Sequence, residues 1–303
     1  MLILLIVLAV GLLGLLIKPP QWLFTRVLSP VVCPGAVYAV NTSAKRVALT
    51  IDDGPDLRLG EANSTQKILA ILRRHNQQEP AFPAHATFFL ISNQVQERAM
   101  LQADRQDAVV VQMIADGHEI GNHLLEDIAA ISLGDRFSQA FTTAHERLTP
   151  YAQQPNSPYP QVSWFRPGVG WCDRAMADAV SQQAEYQSPQ GFPNIALGSV
   201  WPYDTVLSWP AFSRWFIRHT VRPGAIIILH DSGSRGDNTV QILEELLQDL
   251  ASQGYTAVPL TDLLANGDAI ARSQVLPKPI EAVRKFLIIQ RENLRLRPSG
   301  NEG

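Results

Sequence analysis

Two adjacent carboxylates, Asp52 and Asp53, follow a short apolar run and could do chemistry together. The run 47–51 is apolar and β-branched, which is typical of a buried strand, and Gly54-Pro55 after the carboxylates predicts a turn. Where a strand stops and turns, both side chains can reach one site. One carboxylate could bind a cation while the other accepts a proton, although an ordinary Asp-Gly turn has the same residues.

Polar residues also follow three later strand-like runs. His123 and Asp127 follow the first, Arg166 the second and His230 the third. In a parallel α/β barrel, the C-terminal ends of the strands meet at one face and carry the chemistry. We therefore expect these side chains to lie near the paired carboxylates.

The four-residue spacing of His123 and Asp127 is that of two residues on one face of a helical turn. Helices use this spacing to offer two ligands to one metal. Adding Asp52 or Asp53 gives three protein ligands and leaves a position for water, which is the layout of a catalytic metal site. A packed histidine and a solvated aspartate would explain the same spacing in isolation.

The elements that must position these residues alternate between strand and helix, which predicts an α/β parallel sheet or barrel. Helices are predicted at 65–75, 136–148, 174–183, 212–219 and 240–253. Strands are predicted at 47–51, 86–91, 108–111, 118–121, 162–166, 195–200, 225–229 and 255–258.

The N-terminal residues 1–17 are uninterrupted apolar residues or glycine, which indicates a membrane-spanning helix or a signal-peptide core. We favour an uncleaved anchor, and therefore a membrane contact. Lys18 and Arg26 on its C-terminal side weakly favour a cytoplasmic domain. The predicted organisation is an anchor at 1–18, a linker and lead-in at 19–45, a catalytic domain at 46–270, and a C-terminal helix with a flexible tail at 271–303.

Composition excludes some classes of function. The chain has 303 residues and a net charge of −3, so it has no overall basic signal for a nucleic-acid partner. Cys33 and Cys172 are too few for a disulfide framework or a cysteine-rich zinc site. One disulfide and two free thiols are equally compatible with the sequence, and the oligomeric state is not indicated.

Four segments, in the same order along the chain, resemble the motifs of the polysaccharide deacetylases (carbohydrate esterase family 4, the NodB homology domain). The resemblance implies a distorted (β/α) barrel of about seven parallel strands, here preceded by the N-terminal hydrophobic helix. It also implies hydrolysis of acetyl groups, usually the N-acetyl of N-acetylglucosamine in chitin, chitooligosaccharides or peptidoglycan. The segments are Thr50-Ile51-Asp52-Asp53-Gly54-Pro55, Gly117-His118-Glu119-Ile120-Gly121-Asn122-His123, Phe165-Arg166-Pro167 and Ile228-Leu229-His230-Asp231.

The sequence departs from the family pattern at several positions. In the second motif, His-Ser/Thr-x-x-His, Leu124 replaces the hydroxyl residue and Asp127 the second histidine. In the third motif, Gly168 stands where a second proline is usual. A further family motif of the Asp-x-x-Asp-Trp type is only approximated by residues 203–209, in which Ser208 stands where an aspartate is expected. These departures bear on the metal and on the substrate.

The resemblance implies that Asp53, His123 and Asp127 hold a divalent metal. Zinc is the favoured ion, with cobalt or manganese as alternatives. Such a metal would acidify its bound water and polarise the acetyl carbonyl. Two carboxylates and one imidazole contribute a charge of about −2, where the family pattern contributes about −1.

The resemblance also implies the acid–base roles. Asp52 is the predicted general base, and Arg166 pairs with it. His230 is the predicted general acid, and Asp204 is the candidate carboxylate that keeps it charged.

Trp171, Tyr203 and Trp209 could offer flat faces to sugar rings, although packing explains any single one of them better. The leading prediction is thus an acetylated-glycan deacetylase whose catalytic domain lies outside the cytoplasm. The alternatives are an O-acetyl esterase, a deformylase acting on lipid-linked sugars, and a carbohydrate-binding homologue with weakened catalysis.

Overall fold

The computed structural model describes residues 33, 35–101, 108–188, 191–265, 267–270 and 289. The predicted N-terminal membrane helix lies outside the described residues, as does the predicted C-terminal helix and tail apart from residue 289. In the part of the chain that is described, no helix is both long enough and apolar enough to cross a bilayer.

A parallel sheet forms the centre of the domain, which confirms the predicted α/β class. The order is β4-β3-β2-β5, with β6 pairing with the start of β2, while β1 and β7 form a separate antiparallel pair. The strands are β1 (Ala39–Asn41), β2 (Arg46–Gly54), β3 (Ala86–Leu90), β4 (Glu119–Asn122), β5 (Ile226–His230), β6 (Thr256–Val258) and β7 (Asp268–Ile270).

Helices connect the parallel strands, as expected for crossover connections. They are α1 (Ser64–Gln78), α2 (Ser92–Leu101), α3 (Ala108–Ala115), α4 (Phe137–Ala152), α5 (Arg174–Ser181), α6 (Pro210–Thr220), α7 (Gly233–Ser252) and α8 (Leu260–Ala265). Short 3-10 turns occupy Gly60–Ala62, Ala130–Arg136, Gly168–Gly170 and Ala184–Tyr186.

Strand β2 is buried along nearly its whole length because it lies in the middle of the sheet. A strand covered on both faces reads as a continuous apolar run, which explains why the sequence pattern located it well. The apolar sides of α1 and α7 pack together beside it, through residues such as Leu72 and Leu246. The two carboxylates therefore emerge from the buried central strand of the sheet.

The segment 108–111 differs from its prediction in type, and the lead-in 19–45 differs in extent. The predicted strand 108–111 is wrong, because this segment begins α3. Its valines resemble a strand locally, but Val109, Val110, Met113 and Ile114 are buried at helical spacing. The predicted lead-in 19–45 contains β1, whose pairing with β7 makes it part of the domain.

Segments 162–166 and 195–200 form isolated parallel bridges and not full strands. Phe165 bridges to Asn122 and to Ile195, and Val200 bridges to Ile227. These bridges carry parallel pairing from β4 round towards β5. Five of the described strands form the parallel sheet, and β1 and β7 pair separately, so the barrel of about seven parallel strands stays a prediction.

Candidate active site

The backbone at the end of β2 directs the two carboxylates to different partners around one site. Asp53 has a φ of 67°, and the pairing of β2 with β3 shifts register between Asp52 and Gly54. This irregularity breaks the usual alternation of side chains along a strand. Asp52 and Asp53 are both buried, so each needs a polar or charged partner.

Arg166 is the partner of Asp52. Its Nη1 lies 2.6 Å from Asp52 Oδ1 and 2.7 Å from Thr50 Oγ1, while its Nε donates to the carbonyl oxygen of Ala196 at 3.0 Å. The guanidinium also lies 4.1 Å from the ring centre of Phe89. A buried cation with this many partners fixes the carboxylate in one orientation, as the sequence predicted.

His230 and Asp204 form a second buried pair. Asp204 Oδ2 lies 2.9 Å from His230 Nδ1 and also accepts the His230 backbone N–H at 3.0 Å. Burial disfavours a charged imidazole, but the Asp204 carboxylate outweighs it and raises the pKa of His230 to about 9. The predicted pairing is therefore present, and it keeps this histidine protonated at neutral pH.

His123 faces Asp53, with 3.2 Å between its Nε2 and Asp53 Oδ1. Its Nδ1 lies 2.7 Å from the carbonyl oxygen of Arg166, so Nδ1 carries a proton and donates it. Burial opposes charging of His123, but the bond to Asp53 and the nearby charges of Asp52 and Asp53 together outweigh it and raise the pKa of the imidazole. His123 and Asp53 together could supply two donor atoms to a metal.

Asp127 does not join them as predicted. The segment after His123 is not a helical turn, since Leu124 has a φ of 68°, so the two residues do not share a helix face. Asp127 Oδ2 instead accepts a hydrogen bond from Arg235 Nη2 at 2.9 Å. No three His, Cys, Asp or Glu residues within the described ranges are arranged to hold a metal ion. The predicted three-ligand set therefore does not fit this arrangement.

Arg235 was missed by the sequence reasoning. It lies in the first turn of α7, shortly after His230, and its Nη1 is 2.8 Å from Asp53 Oδ2. The signal that could have found it is Asp127 itself, because an aspartate in place of a neutral histidine adds a charge that needs a partner.

Asp231 braces the turn after β5. Its buried carboxylate accepts hydrogen bonds from the hydroxyls of Ser64 and Thr65 at the start of α1. Its backbone N–H donates to the carbonyl oxygen of Asp52 at 2.7 Å. These bonds tie the end of β5 to β2 and to α1.

The three predicted sugar-contacting aromatic residues lie in different surroundings. Tyr203 packs against Trp201 and Phe216, with ring centres 5.0 and 5.5 Å apart. Trp209 is 62% exposed, whereas Trp171 packs against the core. Contact of these residues with a sugar stays a prediction.

Comparison with known proteins places this arrangement in a family. The family model described as polysaccharide deacetylase matches residues 39–187, which include Asp52, Asp53, His123 and Arg166. The chain belongs to this family. A similar curated relative is a peptidoglycan-N-acetylglucosamine deacetylase of Bacillus cereus, 27% identical over 239 residues that cover 75% of this chain and 92% of the relative.

Solved structures of similar proteins share the fold of this polysaccharide deacetylase. The Bc1960 peptidoglycan N-acetylglucosamine deacetylase matches with a TM-score of 0.59 and 22% identity, covering 82% of this chain and 99% of that one. A family 4 acetyl xylan esterase from Clostridium thermocellum, solved with a cobalt ion, matches with a TM-score of 0.57 and 25% identity, covering 73% and 91%.

Proposed function

We propose that this polysaccharide deacetylase hydrolyses the N-acetyl group of N-acetylglucosamine residues in a glycan. The observation that carries the proposal is the pairing of Asp52 with His230 across neighbouring parallel strands. Each of them has a buried partner of opposite charge, Arg166 and Asp204 respectively. A carboxylate and a protonated imidazole on adjacent strands are the base and the acid that amide hydrolysis needs.

In the proposed reaction, Asp52 accepts a proton from a water molecule as the water oxygen bonds to the acetyl carbon. The carbon–nitrogen bond then breaks, and His230 donates its proton to the leaving amine. Acetic acid and the free amino sugar are the products, so atoms and charge balance. Arg166 orients Asp52, and Asp204 keeps His230 protonated.

The proposed reaction uses only groups of the chain. When bound, a metal would supply an acidified water and a polarised carbonyl. Asp53 and His123 could contribute two ligands to it, but Asp127 is engaged by Arg235.

We also propose that the domain works outside the cytoplasm, anchored through the N-terminal segment. The disulfide between Cys33 and Cys172 supports this location, because disulfides persist in oxidising compartments. A distorted barrel is the proposed architecture, since bridges at Phe165 and Val200 extend the parallel pairing beyond the sheet.

A second candidate is hydrolysis of O-acetyl esters, favoured by the likeness to the acetyl xylan esterase. An ester needs no proton on a leaving amine, so this reaction would depend less on His230. The same site residues would otherwise act in the same way.

The test is acetate release from N-acetylglucosamine oligomers and from acetylated xylan by the whole chain. We expect Asp52→Asn to abolish release, because an amide cannot accept the proton. The control is Glu244→Gln, which also removes one carboxylate, but from a surface pair with Arg74. Normal release by Asp52→Asn would contradict the proposal, and release from the ester alone would favour the second candidate.

A further inference from the structure

We propose that the guanidinium of Arg235 is the resident cation of this site and that the protein binds no divalent metal ion among Asp53, His123 and Asp127. The guanidinium then supplies the positive charge that polarises the acetyl oxygen. That catalytic role rests on the proposed function, whereas the exclusion of a metal does not.

The first observation is the position of the guanidinium. Its two terminal nitrogens lie 2.8 Å from Asp53 Oδ2 and 2.9 Å from Asp127 Oδ2. One planar guanidinium therefore contacts an oxygen of each carboxylate at the same time. A metal that used both carboxylates would need the volume that Arg235 fills, and would have to expel a charged side chain that is only 32% exposed.

The second observation concerns charge. In the family pattern, one aspartate and two histidines contribute about −1. Here Asp127 adds a second negative charge, and the positive charge of Arg235 cancels it. The aspartate therefore does not make the site more attractive to a metal ion than the family pattern would be. Burial opposes ionisation of Arg235, but the nearby carboxylates of Asp53 and Asp127 outweigh it and raise its pKa, so the guanidinium stays charged.

The third observation is that one departure from the family motifs, Gly168, lies against the residue that follows another, Asp127. A Cβ atom at Gly168 would lie 2.0 Å from the carbonyl oxygen of Ile128, the residue after Asp127. The absence of a side chain at Gly168 therefore permits the path of the loop that carries Asp127. The same loop begins with Leu124 at positive φ, anchored by a bond from its N–H to Asn122 Oδ1.

These observations describe one coordinated change. The loop path set by Leu124 and Gly168 places Asp127 where a guanidinium from α7 can bridge it to Asp53. Arg235 has five N–H donors, and the two carboxylate contacts leave others to face a developing oxyanion. A fixed guanidinium can stabilise such charge without a metal.

The test is metal content measured by elemental analysis. The whole chain is incubated with excess zinc, cobalt or manganese chloride and then desalted. We expect the wild type to retain far less than one equivalent per chain. We expect the double variant Asp127→His with Arg235→Ala, which restores the family's donors and removes the guanidinium, to retain one equivalent.

The matched control is Arg214→Ala. Arg214 is exposed to the same degree, at 31%, and also faces two carboxylates, Glu245 and Asp249, on the surface formed by α6 and α7. This variant should stay metal-free. Circular dichroism confirms that each variant keeps the wild-type fold.

One equivalent of metal in the wild type, lost on His123→Ala, would overturn the proposal whether or not the protein releases acetate. Failure of the folded double variant to gain a metal would also overturn it, because Arg235 would then not be what excludes the ion. A metal-free wild type that releases no acetate from any tested glycan would refute the proposed function and leave the metal inference standing.

Discussion

Replacing Asp204 by asparagine should move the pKa of His230 further than any other single change at the site. Burial lowers this pKa and the Asp204 carboxylate raises it, with a net rise from 6.5 to about 9. That rise of about 2.5 pKa units corresponds to roughly 3 kcal/mol of preference for the charged imidazole. Asparagine keeps the shape and removes the charge, so burial is then opposed only by the weaker effects of Asp53 and Asp52, and the pKa should fall well below 9.

The fold stabilises the protonated form of His230, and this determines how the stability of the protein depends on pH. Because the folded pKa is raised, the stability from the Asp204–His230 pair is fully present below pH 6.5 and is lost as the pH rises through about 9. The difference in Tm between the wild type and Asp204→Asn should therefore be largest at mildly acidic pH, where the carboxylate is still charged, and should shrink as the pH rises through about 9. The alkaline limb of the rate profile should move to lower pH together with the pKa of His230.

Two measurements check this. One is the pH dependence of kcat for acetate release, and the other is an NMR titration of the His230 ring, which needs no activity. Glu244→Gln is the control for loss of a carboxylate. If His230 in Asp204→Asn still titrates near pH 9, then the Asp204 carboxylate is not what keeps His230 protonated. That result would contradict the pairing on which the assignment of His230 as the acid depends.

Three further outcomes are expected. His230→Ala should lower kcat by about 10²–10⁴-fold with little change in substrate binding, measured by steady-state kinetics, and an unaltered pH profile would exclude the acid role. Gly168→Ala should lower the free energy of unfolding in urea by about 1–3 kcal/mol, because the added methyl group would clash with the Ile128 carbonyl oxygen. Unchanged stability would show that the loop can move away from the methyl group at no cost. Replacing Cys33 and Cys172 by serine should lower the free energy of unfolding by up to about 5 kcal/mol, since the bond spans 139 residues; no loss would indicate that the thiols are reduced in solution.

The local sequence pattern was sufficient to predict an element or a contact where the residue types involved fit only one structural role. The apolar run that ends in Asp52 could only be a buried strand, and Arg166 needed a carboxylate as soon as it was buried. The pairing of His230 with Asp204 followed from the family resemblance and is present in the structure.

Pattern failed where the outcome depends on a distant part of the chain. The valines of α3 have strand propensity, but their packing decides the helix. Asp127 had the spacing of a ligand, yet Leu124 breaks the turn that the spacing assumed. Its partner Arg235 is more than a hundred residues away, so only the folded chain shows that the two meet. The sequence also did not decide whether Cys33 and Cys172 form a disulfide, because only the folded chain shows that they lie next to each other.

The bond between Cys33 and Cys172 also has a mechanical consequence. It joins the chain ahead of β1 directly to the loop beyond Arg166, so a pull on the preceding segment reaches that loop without first separating β1 from β7. If the proposed anchor ends near residue 18, the tether to Cys33 reaches at most about 50 Å when fully extended. With such an anchor, the catalytic domain would reach only glycan strands within about that distance of the membrane.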